Sequence, residues 1–473
     1  MGTSWLSLIP FIIVIPISIL TKQIQPGLFA ALLVGSYIKT PDPLESIKTM
    51  LSYIVNNLVK QNNIRIILFL YMFAGLIGII KMAGGIKGFV HLVNNRIKSK
   101  KGAMLLTWFS TIGTFSDPDF RIVTISPIMK ALKRRLKMTS KEIGFAIEAT
   151  SNPVVALIPV ATAFVGYMVS IISIALRQNG IKEMAYAVYI RSIPFNFFSF
   201  ALIAVGIYYS FFKHSKTSQA KWENEDSDVE TGEGELEECY RAYEKDTPAK
   251  PWNLILPVSS ILLLTLFLSW WDGHLKVNGF FNAFLNTDAL GVMLEALLIG
   301  VIFTVLFFML QGFKLSKLIS HFLKGGNELM SVIIMLSLIW ALSALTEDMG
   351  FSKYITNNVE GWIPHFFIAP VLFIIGSVIS YFIGSSWGTW GMLMPLGITL
   401  AHKAGVNILP VIGAVFASGT FGAFASPLSD NTVTLCTMLD IPVMEYARWK
   451  LKPSLVAAGI TVVLFTATAF FIR

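Results

Sequence analysis

The chain has 473 residues, of which 54% are hydrophobic and only 14% are charged. A soluble protein of this length would carry roughly 25% charged residues, so the composition excludes an ordinary soluble protein and predicts an all-α polytopic membrane protein. The net charge of +9 does not indicate nucleic acid as a partner, because the basic residues cluster between apolar runs, as they do in cytoplasmic loops of membrane proteins.

Ten apolar runs are long enough to cross about 30 Å of hydrocarbon, and we predict about ten transmembrane helices with both termini outside. The runs fall at 5–22, 26–41, 64–83, 142–175, 186–212, 252–270, 286–312, 328–346, 408–438 and 452–471. The segment that carries Lys48 and Lys60 is expected to be an external loop. Further basic residues are expected in cytoplasmic loops, namely Lys314, Lys317, Lys324, Arg448, Lys450 and Lys452.

Two further apolar regions, 102–129 and 366–400, are broken in the middle, and we predict that each forms a re-entrant hairpin. Basic residues flank the first region on both sides, which places both of its ends in the cytoplasm. A segment that begins and ends on one side does not cross the membrane. The second region is expected to enter from outside. The alternative for the first region is a surface loop whose acidic residues are solvated.

The two halves of the chain, 1–212 and 252–473, repeat a pattern. Trp5–Pro10 echoes Trp252–Pro257, and the shared order extends over five helices and a hairpin. Because five is an odd number, the second half is predicted to be inverted relative to the first, an architecture that supports alternating access to a site at the membrane midplane. The acidic segment 213–251 between the halves is expected to be a flexible cytoplasmic linker.

Each predicted hairpin is interrupted by polar residues where lipid would otherwise lie. The interruptions run over 113–121 and 384–391. Non-helical backbone at membrane depth is tolerated only where it is buried in protein or lines a cavity. A matched pair of interrupted segments is therefore the best pointer in a sequence to the binding site of a secondary transporter.

Asp117 and Asp119, at the tip of the first hairpin, are the predicted titratable centre. Charges deep in the membrane are costly and usually mark an ion or proton pathway. Two carboxylates this close do not readily both stay ionised without a cation, so a metal ion and a proton would compete for one of them. Arg121 either neutralises one of these acids or holds a carboxylate substrate in a bidentate clamp.

Two proline-broken segments, 148–153 and 426–432, are predicted to complete the site. Proline removes a backbone donor and breaks the helix, so freed carbonyls and nearby side-chain oxygens become available to a small hard cation. Asp430 is interpreted as a ligand or proton carrier, with helix capping as the alternative. Half-helix N-termini at Ser385 and Ser386 would favour an anionic group, with simple turn chemistry as the alternative.

The candidate site therefore contains two classes of residue. The predicted ion- or proton-binding residues are Asp117, Asp119, Glu148 and Asp430. The residues expected to coordinate the substrate or sodium are Ser116, Arg121, Thr150, Ser151, Asn152, Ser385, Ser386, Thr389, Ser426, Ser429, Asn431 and Thr432. The six His fall in or near loops, and the sequence contains no Cys/His cluster, phosphate-binding loop or nucleophile elbow. We therefore expect no enzyme activity, no cofactor and no transition metal.

The motifs at 383–390 and 426–432, together with the segment 148–153, resemble the NhaC-type sodium/proton antiporter family, and the resemblance extends from about residue 64 to the C-terminus. It implies membership of the ion transporter superfamily, with inverted repeats, paired hairpins and a homodimer in a bacterial-type plasma membrane. One departure stands out. Family members often carry an Asp-His pair just before the Ser-Pro motif, where this chain has Ala423 and Phe424.

The expected function is sodium/proton antiport by alternating access, with the lipid bilayer and small ions as partners. The alternative is a sodium- or proton-coupled transporter of a small carboxylate or amino acid, because relatives in the superfamily move such solutes. In that case Arg121, Ser385 and Ser386 would bind the carboxylate, and Arg121→Ala would cripple carboxylate uptake while sparing pure cation exchange. Asp117→Asn is expected to abolish transport in either case. A passive channel is a third class, but it would not need titratable groups in both repeats.

Overall fold

The computed structural model describes residues 5–21, 23–85, 88, 97, 99–114, 118–136, 138–159, 162–212, 250–280, 283, 287–351, 354 and 367–471. Every secondary-structure element in these ranges is helical. The linker predicted at 213–251 falls almost entirely outside them. The prediction of an all-α membrane protein is confirmed at this level.

The described helices are numbered in chain order. In the first half they are α1 (Ile9–Thr21), α2 (Ile24–Lys39), α3 (Pro43–Leu58), α4 (Gln61–Met82), α5 (Lys100–Phe109), α6 (Thr111–Thr114), α7 (Pro118–Arg135), α8 (Ser140–Ala149), α9 (Asn152–Val155), α10 (Ala163–Gln178), α11 (Ala185–Ser192) and α12 (Phe197–Ile207). In the second half they are α13 (Trp252–His274), α14 (Ala289–Leu310), α15 (Leu315–Glu328), α16 (Met330–Asp348), α17 (Ile368–Ile383), α18 (Ser386–Lys403), α19 (Ile408–Ala425), α20 (Asp430–Met438) and α21 (Val443–Phe471).

Six helices within the described residues are long and apolar enough to cross a membrane, and a seventh span is formed if 185–195 and 197–212, which meet at 44°, count as one. This is fewer than the ten predicted spans. The difference has a physical cause, because an apolar run need not be one helix. The run predicted at 142–175 is divided among α8, α9 and α10, and Pro153, in the first turn of α9, breaks the helical hydrogen-bond ladder between α8 and α9.

Two segments predicted as polar loops are amphipathic helices instead. Helix α3 covers the predicted external loop, and its N-cap residue Asp42 accepts hydrogen bonds from the backbone N–H groups of Leu44 and Glu45 at 3.0 and 2.9 Å. Helix α15 covers the predicted basic loop at 314–324. Both expose one apolar stripe, which is typical of helices that lie in the membrane interface. The stripes consist of Leu44, Ile47, Leu51 and Val55 on α3, and Leu315, Ile319 and Leu323 on α15.

The helices pack into two groups. The scaffold group consists of α1–α4 and α13–α16, in which α1 packs on α2, α4 packs on α14 and α15, and α2 packs on α16. The core group consists of α5–α12 and α17–α21, in which α17 and α18 pack on α19, α7 packs on α20, and α12 packs on α21. The groups meet where α4 packs on α10 and α16 packs on α18. Each group therefore draws helices from both halves of the chain.

Ion pairs connect different parts of the chain within each group. In the scaffold group they are Lys39–Asp348 (3.1 Å), Arg65–Asp288 (3.1 Å) and Lys81–Glu328 (3.0 Å). In the core group they are Lys130–Asp440, Lys141–Glu445 and Glu148–Lys450 (2.8 Å). Across the boundary, neutral hydrogen bonds run from Trp340 Nε1 to Ser170 Oγ (3.1 Å) and from Gln178 Nε2 to Ser343 Oγ (2.8 Å). Each of these ion pairs therefore joins residues of one group, and the Glu148–Lys450 pair is the buried one among them.

The boundary between the groups also depends on glycine. A Cβ atom added at Gly388 of α18 would lie 2.4 Å from Cδ1 of Ile24, and one added at Gly391 would lie 2.2 Å from Cδ1 of Ile339. A larger residue at either position would require the facing isoleucine side chain to move. The absence of a side chain at Gly388 and Gly391 therefore allows α18 to approach the scaffold group closely.

The second predicted hairpin corresponds to α17 and α18, which are separated by Gly384 and Ser385. Gly384 has φ of 76°, a left-handed conformation that glycine adopts without strain. A Cβ there would lie 2.6 Å from the carbonyl of Leu428, so the tip packs closely on the break after α19. The first predicted hairpin corresponds to α5, α6 and α7, but part of its tip lies outside the described residues. The inversion of one half relative to the other stays a prediction.

Candidate functional site

A cavity of about 350 Å³ lies between the scaffold group and the core group. The scaffold contributes the start of α2 and the junction of α15 with α16. The core contributes the starts of α7, α9, α10, α18 and α20. The lining residues are Gln23, Ile24, Gln25, Pro118, Asn152, Phe164, Glu328, Leu329, Ser331, Val332, Met335, Ile383, Gly384, Ser385, Ser386, Trp387, Ala423, Leu428, Ser429, Asp430 and Asn431. Both interrupted regions of the sequence therefore reach one cavity.

The breaks in the helices create the polar lining. Helices α7, α18 and α20 all begin at the cavity, at Pro118, Ser386 and Asp430. The first N–H groups of a helix have no partner within it, so each start carries a partial positive charge. Helix α17 ends at the cavity, at Ile383. The unpaired carbonyls at such an end are suitable ligands for a cation.

Asp430 is a carboxylate exposed within the cavity lining. It is the first residue of α20, where the helix dipole favours negative charge. Ser429 holds the N-cap position, and its hydroxyl donates to the carbonyl of Ala423 at 2.6 Å instead of capping the helix. Asp430 therefore lies in the first turn and not at the cap, and its carboxylate is directed to a space that a cation can reach.

Asn152 brings a buried acceptor to the same cavity. The residue is 4% exposed, and its Oδ1 atom has no hydrogen-bond partner among the described residues. An unsatisfied buried polar atom costs about 1–3 kcal/mol. The neighbouring hydroxyls do not share this property, because Thr150 and Ser151 donate to the carbonyls of Ala146 and Ile147, both at 2.7 Å. Asn152 is thus the member of this predicted trio that lines the cavity and has an unpartnered side-chain oxygen.

The second hairpin contributes Ser385 and Ser386 to the lining, as predicted. The Ser385 side chain also caps α18 by accepting from the N–H of Gly388 at 3.3 Å, so the turn-chemistry alternative holds as well. Thr389 lies one turn further along α18 and donates to the carbonyl of Ser385 at 3.0 Å. Ser426 donates to the carbonyl of Tyr381 at 2.6 Å. These last two hydroxyls shape the break and do not face the cavity.

Aromatic side chains support the start of α18. Trp387 lines the cavity, with ring centroids 4.9 Å from those of Phe164 and Tyr167. Tyr167 donates a hydrogen bond to the carbonyl of Trp387. Trp390 is fully buried, stacks on Phe416 with centroids 4.8 Å apart, and donates from Nε1 to the carbonyl of that residue at 2.9 Å. The hairpin start is therefore rigidly packed.

Arg121 is fully buried and does not belong to the described cavity lining. Its guanidinium donates to Ser110 Oγ (3.2 Å), Thr114 Oγ1 (2.8 Å), Thr150 Oγ1 (2.6 Å) and the carbonyl of Thr107. These neutral oxygens belong to α5, α6, α8 and the turns beside them. These contacts tie the first hairpin to the first broken helix, and the two predicted roles of Arg121, neutralising an aspartate or clamping a carboxylate substrate, stay predictions.

Three predicted site residues at the tip of the first hairpin, including both acids of the titratable centre, cannot be placed against the cavity. Ser116 and Asp117 lie outside the described residues, and Asp119 belongs to α7 but its side chain lies outside them as well. Their roles stay predictions. Pro118, between the two acids, does line the cavity.

Glu148 was predicted to bind an ion or proton, but it pairs with a lysine away from the described lining. Both of its carboxylate oxygens accept from Nζ of Lys450 at 2.8 Å, and both residues are buried. Thr432, another predicted site residue, donates to Oε1 of Glu148 at 3.0 Å, and Tyr446 donates to Oε2 at 2.7 Å. We call these four residues the Lys450 site.

Lys450 itself was predicted to lie in a cytoplasmic loop. It is instead fully buried within α21. The prediction was wrong because the positive-inside rule assigns a lysine that flanks an apolar run to a cytoplasmic loop. A signal was present in the spacing, since Tyr446 and Lys450 are one helical turn apart and face the same side.

The donor set of the cavity suits a hard cation. Within the described parts of the chain, no three His, Cys, Asp or Glu side chains lie close enough together to hold a metal ion. The described lining contains two carboxylates, and one of them, Glu328, is paired with Lys81 at 3.0 Å. A cation bound in the cavity would therefore be held by Asp430 together with neutral oxygens. Of the two positions at which the chain departs from the motif of the resemblance, Ala423 lines the cavity and Phe424 is buried.

Broken helices that meet at a polar cavity within a bundle of apolar spans define a secondary transporter. The model of the Na+/H+ antiporter family matches residues 154–470, and the chain belongs to this family. The resemblance to NhaC-type antiporters stated from the motifs is confirmed.

Three curated relatives differ in how much they cover. An uncharacterized protein of Haemophilus influenzae is 25% identical over 448 residues, which is 91% of this chain and 84% of that protein. The malate-2H+/Na+-lactate antiporter of Bacillus subtilis is 31% identical over 156 residues, a third of each chain. The Na+/H+ antiporter NhaC of the same organism is 30% identical over 146 residues, 30% of this chain and 31% of that protein.

Two solved transporters share the fold. MtrF of Neisseria gonorrhoeae has a TM-score of 0.64 at 12% identity, over 91% of this chain and 85% of that one. The YdaH transporter of Alcanivorax borkumensis has a TM-score of 0.61 at 11% identity, over 90% and 89% of the two chains. At such low identity the likeness concerns the fold alone.

Proposed function

We propose that this protein exchanges sodium ions for protons by alternating access, as a multi-pass protein of a bacterial-type plasma membrane. One observation carries the proposal. Asp430 of the second half and Asn152 of the first half, whose buried Oδ1 atom has no hydrogen-bond partner among the described residues, line the same cavity. A carboxylate beside a neutral carbonyl oxygen can bind either a proton or a small hard cation, and binding one excludes the other.

The division into two groups supports alternating access. The cavity lies where the scaffold and core groups meet, and the ion pairs named above connect parts of the chain within a single group. A movement of one group against the other would leave those pairs intact and would change the side from which the cavity is reached. Asp117 and Asp119 are proposed as further titratable groups of the same reaction.

A second candidate is coupled transport of a small carboxylate or amino acid. Two observations favour it. The cavity volume of about 350 Å³ lies within the range of small-molecule sites, and the starts of three helices direct partial positive charge into it. The relative named as a malate-2H+/Na+-lactate antiporter is consistent with such a solute. In this case Ser385 and Ser386 would bind the carboxylate, and Arg121 would have only its structural role.

Purified protein in liposomes loaded with a pH-sensitive dye distinguishes the two functions. A sodium pulse is given first alone and then together with amino acids or dicarboxylates. Sodium-dependent proton movement without an organic solute is expected for the antiporter. Silence with sodium alone, followed by a response to one solute, would overturn sodium/proton exchange and establish the coupled carrier.

A homodimer is proposed from the family resemblance. Mass measurement of the purified protein in detergent is the direct test, and a monomer that still transports in liposomes would contradict it.

A further inference from the structure

The Lys450 site has the composition of a binding site for a small cation. Nζ of Lys450 lies 2.8 Å from both carboxylate oxygens of Glu148 and 2.6 Å from Oγ1 of Thr432. It also lies 5.2 Å from the ring centroid of Phe424 and 4.9 Å from that of Tyr446. The ammonium is thus held by one anion, one neutral oxygen and two aromatic faces.

The site is fully enclosed. The side-chain exposure is 0% for Lys450 and 2% for Glu148. A buried carboxylate is strongly destabilising unless a cation neutralises it, and here the cation is covalently attached to the chain. The oxygen atoms around it are those that a dehydrated alkali-metal ion would also use.

The site is built from both halves of the chain. Glu148 belongs to α8, Thr432 belongs to α20, and Tyr446 and Lys450 belong to α21. Asn152 follows Glu148 by four residues, and Asp430 precedes Thr432 by two. The ammonium therefore holds together the two broken helices that bring Asn152 and Asp430 to the cavity.

We propose that the Lys450 side chain is a tethered cation that fills a monovalent-cation site formed by Glu148, Thr432 and Tyr446. Removal of the ammonium would then leave a site for a free alkali-metal ion. The inference rests on the geometry of these residues and not on the proposed exchange reaction, so either can fail without the other.

Thermal unfolding of the full-length protein in detergent tests the proposal. The midpoint temperature is measured in sodium chloride and in choline chloride at equal ionic strength, for the wild type, Lys450→Met and the double variant Glu148→Gln/Lys450→Met. A sodium-induced shift of the midpoint in the wild type is attributed to sodium binding in the cavity, because Lys450 fills the other site. We expect sodium to raise the midpoint of Lys450→Met by about 2 °C or more beyond its effect on the wild type and on the double variant.

Lys141→Met is the matched control, because Lys141 forms an ion pair between the same two helices, α8 and α21, but is 26% exposed. It is expected to show the wild-type sodium response. An equal sodium response in all four proteins would overturn the proposal, and so would a gain in Lys450→Met that persists in the double variant. If Lys450→Met cannot be purified, Lys450→Gln, which keeps a neutral donor for Glu148, is measured by the same criteria.

Discussion

The cavity and the Lys450 site are built from the same two broken helices, but they treat charge in opposite ways. In the cavity, Asp430 is exposed and Oδ1 of Asn152 has no partner among the described residues. In the Lys450 site, Glu148 is buried and accepts from Lys450, Thr432 and Tyr446. A carboxylate that is to exchange ions must remain accessible, whereas a carboxylate that holds helices together is best satisfied permanently. The comparison teaches that permanent pairing with Lys450, and not residue type, distinguishes the carboxylate of Glu148 from that of Asp430.

We expect the largest loss of transport when the carboxylate of Asp430 is replaced. Asp430→Asn keeps the size and the position in the first turn of α20 but removes the charge that attracts a cation. Sodium-dependent proton movement in liposomes should fall to the level of empty liposomes. Asp440→Asn is the matched control, because Asp440 is exposed and pairs with Lys130 outside the cavity lining. Equal activity in the two variants would break the comparison between the two sites.

The supporting carboxylate should affect stability first. Glu148→Gln leaves the ammonium of Lys450 buried without its counterion, which costs about 3–5 kcal/mol in the free energy of unfolding. Glu148→Gln/Lys450→Met should recover most of that loss, because replacing both partners of a buried pair is often neutral. Denaturant unfolding of both variants in detergent provides the measurement. If Glu148→Gln/Lys450→Met is no more stable than Glu148→Gln, the ion pair with Lys450 is not the source of the stability that Glu148 provides.

Replacement of Arg121 tests whether this residue supports the fold or binds a carboxylate substrate. Arg121→Ala removes hydrogen bonds to Ser110, Thr114 and Thr150 and leaves these buried oxygens short of donors. We expect a loss of about 2–3 kcal/mol in unfolding free energy, and a parallel loss of sodium and carboxylate transport. Transport of both solutes, normalised to folded protein, is the readout. A variant that loses only carboxylate uptake would support the substrate clamp.

The smallest effect is expected at Asn152. Asn152→Ala removes the unpartnered side-chain carbonyl oxygen of a residue that lines the cavity, and we expect the sodium concentration for half-maximal transport to rise about tenfold, equivalent to about 1.4 kcal/mol of binding. Stability should change little, since Oδ1 has no partner among the described residues. Ser151→Ala is the control, because its hydroxyl already donates to the carbonyl of Ile147. Equal sodium dependence of both variants would remove Asn152 from the site.

Part of this arrangement could be predicted from sequence. Glycine, proline and serine interruptions in two apolar regions indicated where helices break, and the breaks at Asn152, Ser385 and Asp430 do line one cavity. The pattern could not separate cavity-facing residues from their neighbours, because Thr150, Ser151 and Thr389 differ from them only in where their hydroxyls point. The local sequence determines where a helix breaks, but tertiary packing determines which side chains at the break point into the cavity.

Long-range charge pairing was the least predictable feature. Glu148 and Lys450 are separated by 302 residues, and the local sequence around either residue does not indicate its partner. The surface helices α3 and α15 were missed for a different reason. Their charged residues led to a loop interpretation, whereas the apolar stripe at Leu315, Ile319 and Leu323 follows the spacing of a helix.

Sodium binding to the purified wild-type protein, measured by calorimetry in buffers of different ionisation enthalpy, tests the central claim most directly. If sodium and a proton compete for Asp430, binding must release protons, the apparent affinity must weaken as the pH falls, and Asp430→Asn must abolish the release. Sodium binding with no proton release at any pH, or with release unchanged in Asp430→Asn, would contradict the account.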